Sequence, residues 1–322
     1  MRMNNSFEEV FTLFQEHNHI AIAGHQNPDG DAIGACLALA LALKKMGKEV
    51  TVLLEPYKEM YDVIPGKSFI LPQDKYGDID AEVFVALDCG DVMRMGDAIS
   101  IFDKTAIRVN IDHHISNEFY GGFNIVDGDA SSTCELLYRL LRDAVDLDRD
   151  IATALYAGIL YDTGGFRHTS TSPATLNAAA ELMTYDIPFN RIHNDFFERK
   201  SYQEMKIIGR AFQNASPLYN GKFLYSTITL SEMQEFGCTF QDVGAIISQL
   251  KSVKGTELAC FLYEKEPNVV KVSLRCEDGY DVCKLASVFG GGGHQKAAGC
   301  TIFDTMEKAL AMILKEVEQI ME

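Results

Sequence analysis

"HIAIAGHQNPDGDAIGACLALALALKKMGKEVTVLLE", residues 19–55, decides the fold class. Its two ends, 19–25 and 49–55, are short apolar runs of the length of one buried strand. Between them, 31–48 has the length and Ala/Leu content of a helix, with Gly47 placed near its end. Two more runs of the same kind follow at "AEVFVALD" (81–88) and "AIRVNID" (106–112). Strands of this type separated by helices predict an α/β domain, a parallel sheet with helices on both faces.

From Ser132 to about Tyr185 the pattern is that of three helices. Ser132 and Glu135 have the spacing of a capping box, a structural role that needs no catalytic explanation. "NDFFERKSYQEMKIIGRAFQNA" (194–215) looks like a helical connector. Beyond it the strands lengthen, in "KFLYSTITL", "ELACFLYEKE" and "NVVKVSLRC", accompanied by helices near 241–252, 281–289 and 305–321. The expected organisation is a first domain over 1–195, a connector over 196–216 and a smaller α+β domain over 217–322.

Composition narrows the function. The chain of 322 residues has 47% hydrophobic residues, enough to bury a real core. Its formal charge of −17 argues against binding of long nucleic acid, which rests on many Lys and Arg contacts to phosphate. A short phosphate-bearing substrate stays open if metal cations supply the positive charge. Eight cysteines without a C-x-x-C pair indicate neither a zinc knuckle nor a disulfide framework, and suit reduced thiols in the cytoplasm. The N-terminal "MRMNNSFEEVFTLFQEHNH" is too polar for a signal peptide, and the apolar run "ACLALALAL" is too short to cross a bilayer.

Acidic residues and histidines gather where the expected strands end. "GHQNPDGD" carries His25, Asp29 and Asp31, and "VALDCGD" carries Asp88. "VNIDHHISN" (109–117) carries Asp112, His113 and His114, and "GILYDTGGF" puts Asp162 at the end of a helix. Ligands of open α/β sheets bind outside the carboxyl ends of the strands, so these segments should converge. Singly, each has an ordinary explanation: Asp29-Gly30 as a turn, Asp31 as a helix N-cap, His25 as a satisfied core histidine. Jointly they do not, because aspartates brought together without cations repel and must take up protons. Carboxylates with imidazoles and no thiolate suit Mn²⁺, with Mg²⁺, Co²⁺ or Zn²⁺ behind it.

"NPDGDAIG", "ALDCGD", "DHH" and "YDTG" resemble, in order, the four motifs of the DHH phosphoesterase superfamily. "VSLRCEDGYDVCKLASVFGGGGHQKAAG" looks like the DHH-associated C-terminal domain with its GGGH signature. Length and pairing most resemble the nanoRNase (oligoribonuclease)/pAp-phosphatase branch, which is RecJ-like. The resemblance implies a hydrolase acting on short oligonucleotides in the 3'–5' direction, on 3'-phosphoadenosine 5'-phosphate (pAp), or on both. It implies two Mn²⁺, one on His25, Asp29 and Asp88, the other on Asp31, Asp88, His113 and Asp162. A water activated by the two metals would attack phosphorus in line. His114 would face the scissile phosphate, and Asp112 would orient the neighbouring histidines from behind. Arg275 and His294 would take the non-scissile phosphate or its sugar. Apart from the resemblance, glycines 291, 292 and 293 permit close approach of backbone N–H groups to a phosphate, and Arg167 is a lone candidate for a further substrate contact, little favoured over a surface residue. The active site is expected in the cleft between the domains. Cys276, where a serine is common, and Gly165, where a larger residue is frequent, depart from the family pattern without touching a metal ligand.

Rival readings share parts of this pattern. Family-II inorganic pyrophosphatases lack the GGGH domain, and RecJ exonucleases are usually longer. A cyclic-di-AMP or pApA phosphodiesterase shares the whole layout and is the alternative. A non-catalytic nucleotide-binding regulator would show degenerate ligand positions, and none is substituted here. The expected partners are therefore pAp, pApA or short RNA, with no long duplex, no membrane, and a homodimer left open.

Overall fold

The computed structural model describes residues 4–321. The chain divides between Arg199 and Lys200 into two compact units.

In the first unit five strands, β1 (His19–Ala23), β2 (Glu49–Leu53), β3 (Val83–Leu87), β4 (Ile107–Asp112) and β5 (Phe123–Val126), form one sheet. All its pairings are parallel and the order is β2-β1-β3-β4-β5. Its helices are α1 (Phe7–Glu16), α2 (Gly30–Lys45), α3 (Ile99–Lys104), α4 (Thr133–Leu141), α5 (Arg149–Asp162), α6 (Pro173–Met183) and α7 (Phe189–His193). Side chains alternate between faces along each strand. Ile20, Ile22, Val83 and Val85 therefore join the core under α1, α2, α4 and α5, while Ala21, Ala23, Phe84 and Ala86 pack against Met95, Ile101 and Phe102. Both faces are covered, which is why the strands read as unbroken apolar runs. Helix α2 is apolar on every side because it meets the sheet on one flank and α4 and α5 on the other. Each of its fully buried leucines, 37, 39 and 43, contributes about 1.5–3 kcal/mol relative to exposure.

The order of the strands places a topological switch between β1 and β3, the position where ligands bind in sheets of this winding. Strand β5 was not expected: four residues carry too weak a pattern. It is an edge strand: the Asn4 side chain bonds both backbone groups of Val126, and Asn5 takes those of Asn124, its Oδ1 accepting from Asn124 N and its backbone N–H donating to Asn124 O.

The second unit holds α8 (Tyr202–Gln213), β6 (Ser216–Leu218), β7 (Phe223–Ile228), α9 (Leu230–Phe236), α10 (Ile246–Lys251), β8 (Leu258–Glu266) and β9 (Val269–Cys276). Then come α11 (Val282–Val288), β10 (Gly292–His294), β11 (Ala297–Ile302) and α12 (Met306–Met321). The sheet order is β10-β11-β9-β8-β7-β6, with β7 and β8 parallel and the other neighbours antiparallel. One face packs on α8, α9 and α10, the other on α11 and α12.

Two local expectations differ from what forms. Residues 196–216 contain no continuous helix: Arg199 is extended, and Ser201 opens α8 with a full capping box to Glu204. Ile207, Ile208 and Ala211 then bury α8 in the second unit's core. At α4 the expected box is only half made. Ser132 Oγ accepts from Glu135 N at 3.1 Å, but the Glu135 carboxylate turns to Ser131, Thr175 and Arg139 instead. No helix among the described residues is long and apolar enough to cross a membrane.

Candidate metal centre

Four segments of the first unit meet at the carboxyl end of its sheet. β3 ends at Leu87, and Asp88 adopts φ +57°, a left-handed conformation uncommon outside glycine. Such a conformation costs on the order of 1–3 kcal/mol and persists only where the surroundings enforce it. Asp88 N donates to Ile111 O at 3.1 Å, and Thr133 Oγ1 donates to Asp88 Oδ1 at 3.1 Å. The carboxylate thus held is 2% exposed and lies at the centre of the cluster.

Its two oxygens face different partners. Oδ2 lies 3.6 Å from His25 Nε2, which is 3.7 Å from Asp29 Oδ1. Oδ1 lies 3.5 Å from His113 Nε2, which is 3.1 Å from Asp162 Oδ2. Potential ligand atoms of His25, Asp29 and Asp88 fall within 4.8 Å of one another; so do those of Asp31, His113 and Asp162, and those of Asp88, His113 and His114. All six residues expected to hold metal are therefore together, around Asp88.

His25, Asp29 and Asp31 are held by backbone groups. His25 Nδ1 bonds Gln26 O at 2.8 Å, which turns Nε2 toward the carboxylates. Asp29, not Asp31, is the N-cap of α2, accepting from Asp31 N and Ala32 N. Asp31 is fully buried in the first turn and accepts from Thr133 N at 2.6 Å and Cys134 N at 3.0 Å, the first amides of α4. A helix N-terminus is a favourable place for such a charge. Asp112 is fully buried; its Oδ1 lies 2.7 Å from His114 Nδ1, and its Oδ2 accepts from Asn117 Nδ2 at 2.6 Å. Among the described residues no hydrogen bond joins Asp112 to His113, so it orients one histidine of the pair.

The electrostatics are those of a site short of positive charge. Among the described residues no Lys or Arg pairs with Asp29, Asp31, Asp88 or Asp162 within 4.0 Å. Burial, then the charges of Asp162 and Asp29, push the Asp88 carboxyl up to about 7. Burial, then Asp88 and Asp162, push Asp31 well above the usual carboxylate range. Burial alone would lower His113, but the hydrogen bond to Asp162 and the charges of Asp31 and Asp88 raise it to about 10. The cluster on its own holds protons that cations would displace. Buried oxygen and imidazole donors without thiolate fit a pair of hard divalent cations.

Thr133, Asn117 and Gly158 complete the site and were not expected from the sequence. A Cβ on Gly158 would meet Cys134 Sγ at 2.2 Å, so the close approach of α5 to α4 requires glycine there. Arg167 projects from the turn after Asp162, its Nε–H donating to Gly164 O at 2.8 Å, and it pairs with none of the four carboxylates. The neighbouring His168 Nδ1 lies 3.0 Å from Asp162 O.

In the second unit the register sets His294 opposite Ala297 and Ala297 opposite Arg275, placing the imidazole and the guanidinium on one face of the sheet. Among the described residues no carboxylate lies within 4.0 Å of Arg275; its Nη1 donates to Leu274 O. The last two glycines of the run form β10 with His294, a short strand. Gly291 and Gly293 are needed where backbones touch, since a Cβ would come within 2.3 Å of Gly299 O and 2.5 Å of Ala297 O respectively, whereas Gly292 faces open space.

Residues 19–159 match the DHH family, N-terminal domain, and residues 220–322 match the DHHA1 domain. The bifunctional oligoribonuclease and PAP phosphatase NrnA of Thermus thermophilus is 30% identical over 308 residues, spanning 93% of this chain and 89% of its own length. An exopolyphosphatase-related protein from Bacteroides fragilis superposes with a TM-score of 0.87 and 26% identity, over 98% of this chain and 96% of that one. RecJ from Thermus thermophilus in complex with Mn²⁺ gives a TM-score of 0.55 at 13% identity, over 98% of this chain and 54% of RecJ, a likeness of fold.

Proposed function

The chain belongs to the DHH phosphoesterase family, and on that premise we propose that it is a Mn²⁺-dependent hydrolase of short oligonucleotides and of pAp. The observation that carries the reading is the double reach of Asp88. Its Oδ2 lies against His25, which neighbours Asp29, and its Oδ1 lies against His113, which neighbours Asp162, so Asp88 would be shared by both cation sites. His25, Asp29 and Asp88 would hold one cation; Asp31, Asp88, His113 and Asp162 the other. When bound, the pair supplies positive charge against the phosphoryl oxygens and acidifies the attacking water.

The chain's own residues do the rest. Water oxygen bonds to phosphorus, the phosphorus–oxygen ester bond breaks, and the leaving oxygen takes up a proton. His114 is anchored at Nδ1 by Asp112, which leaves Nε2 to hydrogen-bond a phosphoryl oxygen or to protonate the leaving group. Catalysis belongs to the first unit. Arg275 and His294 on the second would take the non-scissile phosphate, a planar guanidinium being suited to a two-point hold. Gly291, Gly292 and Gly293 would carry His294, and Arg167 would reach the substrate from the turn after Asp162. The Thermus thermophilus relative, named for oligoribonuclease and PAP phosphatase activity, supports this choice of substrates.

The test is a parallel turnover assay of pAp, pApA, cyclic-di-AMP and a five-nucleotide RNA. We expect phosphate release from pAp and mononucleotide release from RNA with Mn²⁺, both abolished by EDTA and restored by Mn²⁺. Turnover of cyclic-di-AMP alone would replace this reading with the cyclic-dinucleotide one. Tight binding without turnover of any of the four would overturn it in favour of a regulator.

A further inference from the structure

Helices α2 and α5 run antiparallel and touch backbone to backbone. A Cβ on Gly34 of α2 would stand 2.7 Å from Ala154 O and 3.1 Å from Gly158 N of α5. One turn nearer the candidate metal centre the glycine contact gives way to an aromatic one. Tyr161, three residues beyond Gly158 and so on the same face of α5, lies against Gly30, the first residue of α2. A Cβ on Gly30 would meet Tyr161 Cγ at 2.5 Å, Cβ at 2.7 Å and Cδ2 at 2.8 Å. Gly30 lies between Asp29 and Asp31, and Tyr161 immediately precedes Asp162. One side chain therefore joins the start of α2, with two candidate ligands, to the end of α5, with a third.

The Tyr161 ring is itself held. Tyr61, at the end of the 3₁₀ turn Glu59–Tyr61, meets it edge-on with centroids 5.7 Å apart. Phe196, from the π-helical turn Asn194–Glu198, does so at 5.8 Å. Tyr61 and Phe196 meet each other at 5.5 Å, which closes a triangle of T-shaped contacts, an arrangement that aromatic quadrupoles favour. Tyr61 and Phe196 are buried, and Tyr161 is half-buried at the edge of the site. Burial, to which the charges of Asp29 and Asp162 add, holds the Tyr161 phenol above the ordinary tyrosine value. A π-helical turn is rare and recurs at functional sites, and here it delivers Phe196 to the ring. Neither Tyr61 nor Phe196 is a metal ligand, so the chemistry of the centre does not by itself account for the triangle.

We propose that Tyr161 is a positioning residue for the second cation, pinning the start of α2 to the end of α5 so that Asp31 and Asp162 converge on one ion. The proposal rests on the reading that these carboxylates belong to a two-cation site. It makes the two half-sites unequal. The second ligand set takes Asp31 from α2 and Asp162 from α5, so it depends on how those helix ends meet. The first set, His25, Asp29 and Asp88, takes nothing from α5. Asp31 is also anchored by the α4 amides, whereas among the described residues the Asp162 carboxylate has no hydrogen-bonding partner but His113, 3.1 Å away. Asp162 therefore relies on the seating of its own helix end, which the ring supplies. The pin sets the affinity for the second ion, and with it the Mn²⁺ concentration at which the protein becomes active.

The test takes the full chain, stripped of metal with EDTA and dialysed, and titrates it with Mn²⁺ as wild type, Tyr161→Phe, Tyr161→Leu and Tyr161→Ala. Loss of the free-ion EPR signal counts bound Mn²⁺, and a spin-coupled spectrum reports two ions side by side. Wild type and Tyr161→Phe, which keeps the ring, should bind two ions with matching affinities. Tyr161→Ala and Tyr161→Leu should bind the first ion as wild type does and the second about 10–100-fold more weakly, with the coupled spectrum delayed to correspondingly higher Mn²⁺. The Mn²⁺ midpoint for pAp turnover should rise with the second Kd, while KM for pAp at saturating metal changes less than about twofold. Tyr161→Leu fills most of the vacated volume and carries the test if thermal unfolding in EDTA shows that Tyr161→Ala does not fold. Equal second-ion affinity in Tyr161→Leu and wild type, or equal weakening of both ions, would overturn the pin. If wild type binds two coupled ions that weaken as described yet hydrolyses neither pAp nor RNA, the pin stands and the catalytic reading falls. If wild type binds no pair of ions, both fall.

Discussion

A Cβ on Gly158 would stand 2.6 Å from Asp31 Oδ1. The α5 backbone thus forms the wall behind a buried carboxylate of the candidate metal centre, and the same missing side chain leaves room for Cys134 on α4.

Gly158→Ala separates two opposed effects. Helix propensity alone would stabilise the variant by about 0.8–1 kcal/mol. Forcing a methyl into this packing costs about 1–3 kcal/mol and shifts Asp31. Asp31 and the Cys134 side chain are both fully buried, so the steric effect should win. We expect a net loss of stability in urea unfolding and at least a tenfold fall in turnover. An alanine variant more stable than wild type would show that α5 is not tightly seated on Asp31.

Asn117 should govern kcat through His114. Its Nδ2 donates to Asp112 Oδ2 and to Cys89 O, while its Oδ1 accepts from Asn110 Nδ2 at 2.9 Å and Phe119 N at 2.7 Å. Asn117→Ala leaves the buried Asp112 short of a donor, at a cost of about 1–3 kcal/mol. We expect kcat to fall at least tenfold with KM changed less than twofold, because the substrate contacts are untouched. A variant that alters KM alone would assign Asn117 to binding instead.

Glu135 links α4 to the start of α6 and should set part of the acid stability. Burial raises its pKa, but hydrogen bonds from Ser131 and Thr175, with the charge of Arg139, bring it below the usual glutamate value. A group with a depressed folded pKa adds stability that is present above the unfolded value, about 4.3, and is lost as pH falls through the folded one. Glu135→Gln should therefore be less stable than wild type at pH 7, by about 1–2 kcal/mol. The gap should close as pH falls below the unfolded value and through the lower folded one, where wild type protonates too. Parallel unfolding curves at all pH values would mean that Glu135 folds without electrostatic gain.

The sheet and its ligand ends were legible because both depend on local pattern. Strands buried on both faces are apolar throughout, and each ends in a polar residue that the winding brings to one edge. Asp88 could be named because the other strand ends repeat the same ligand types, but its left-handed φ could not, since no glycine marks it. Thr133 lies 45 positions from the Asp88 carboxylate it bonds, and its role exists only once α4 is docked. Asn117 stood in view in "VNIDHHISN", yet nothing local tells a turn asparagine from one that holds Asp112. The start of α8 was legible in the S-x-x-E spacing of Ser201 and Glu204, and was masked by the helical character of the residues on either side. The glycine run reads as a phosphate loop, whereas Gly291 and Gly293 are also what let β10 lie against β11.

Asp88→Asn should invert the order of stability with and without metal. In wild type lacking cations, four carboxylates share one pocket with only histidines to balance them, and Asp88 is the most central. Replacing its charge with an isosteric amide removes repulsion, so the metal-free variant should unfold later than metal-free wild type, by about 1 kcal/mol or more. Mn²⁺ at a hundred times its Kd should stabilise wild type by about 2.7 kcal/mol for each site filled. The variant, lacking the bridging charge, should gain far less and should lose turnover by at least a thousandfold. Thermal unfolding of both proteins in EDTA and in Mn²⁺ gives all four values. Equal metal-induced shifts in the two proteins would remove Asp88 from the bridging position, whatever the activity of either.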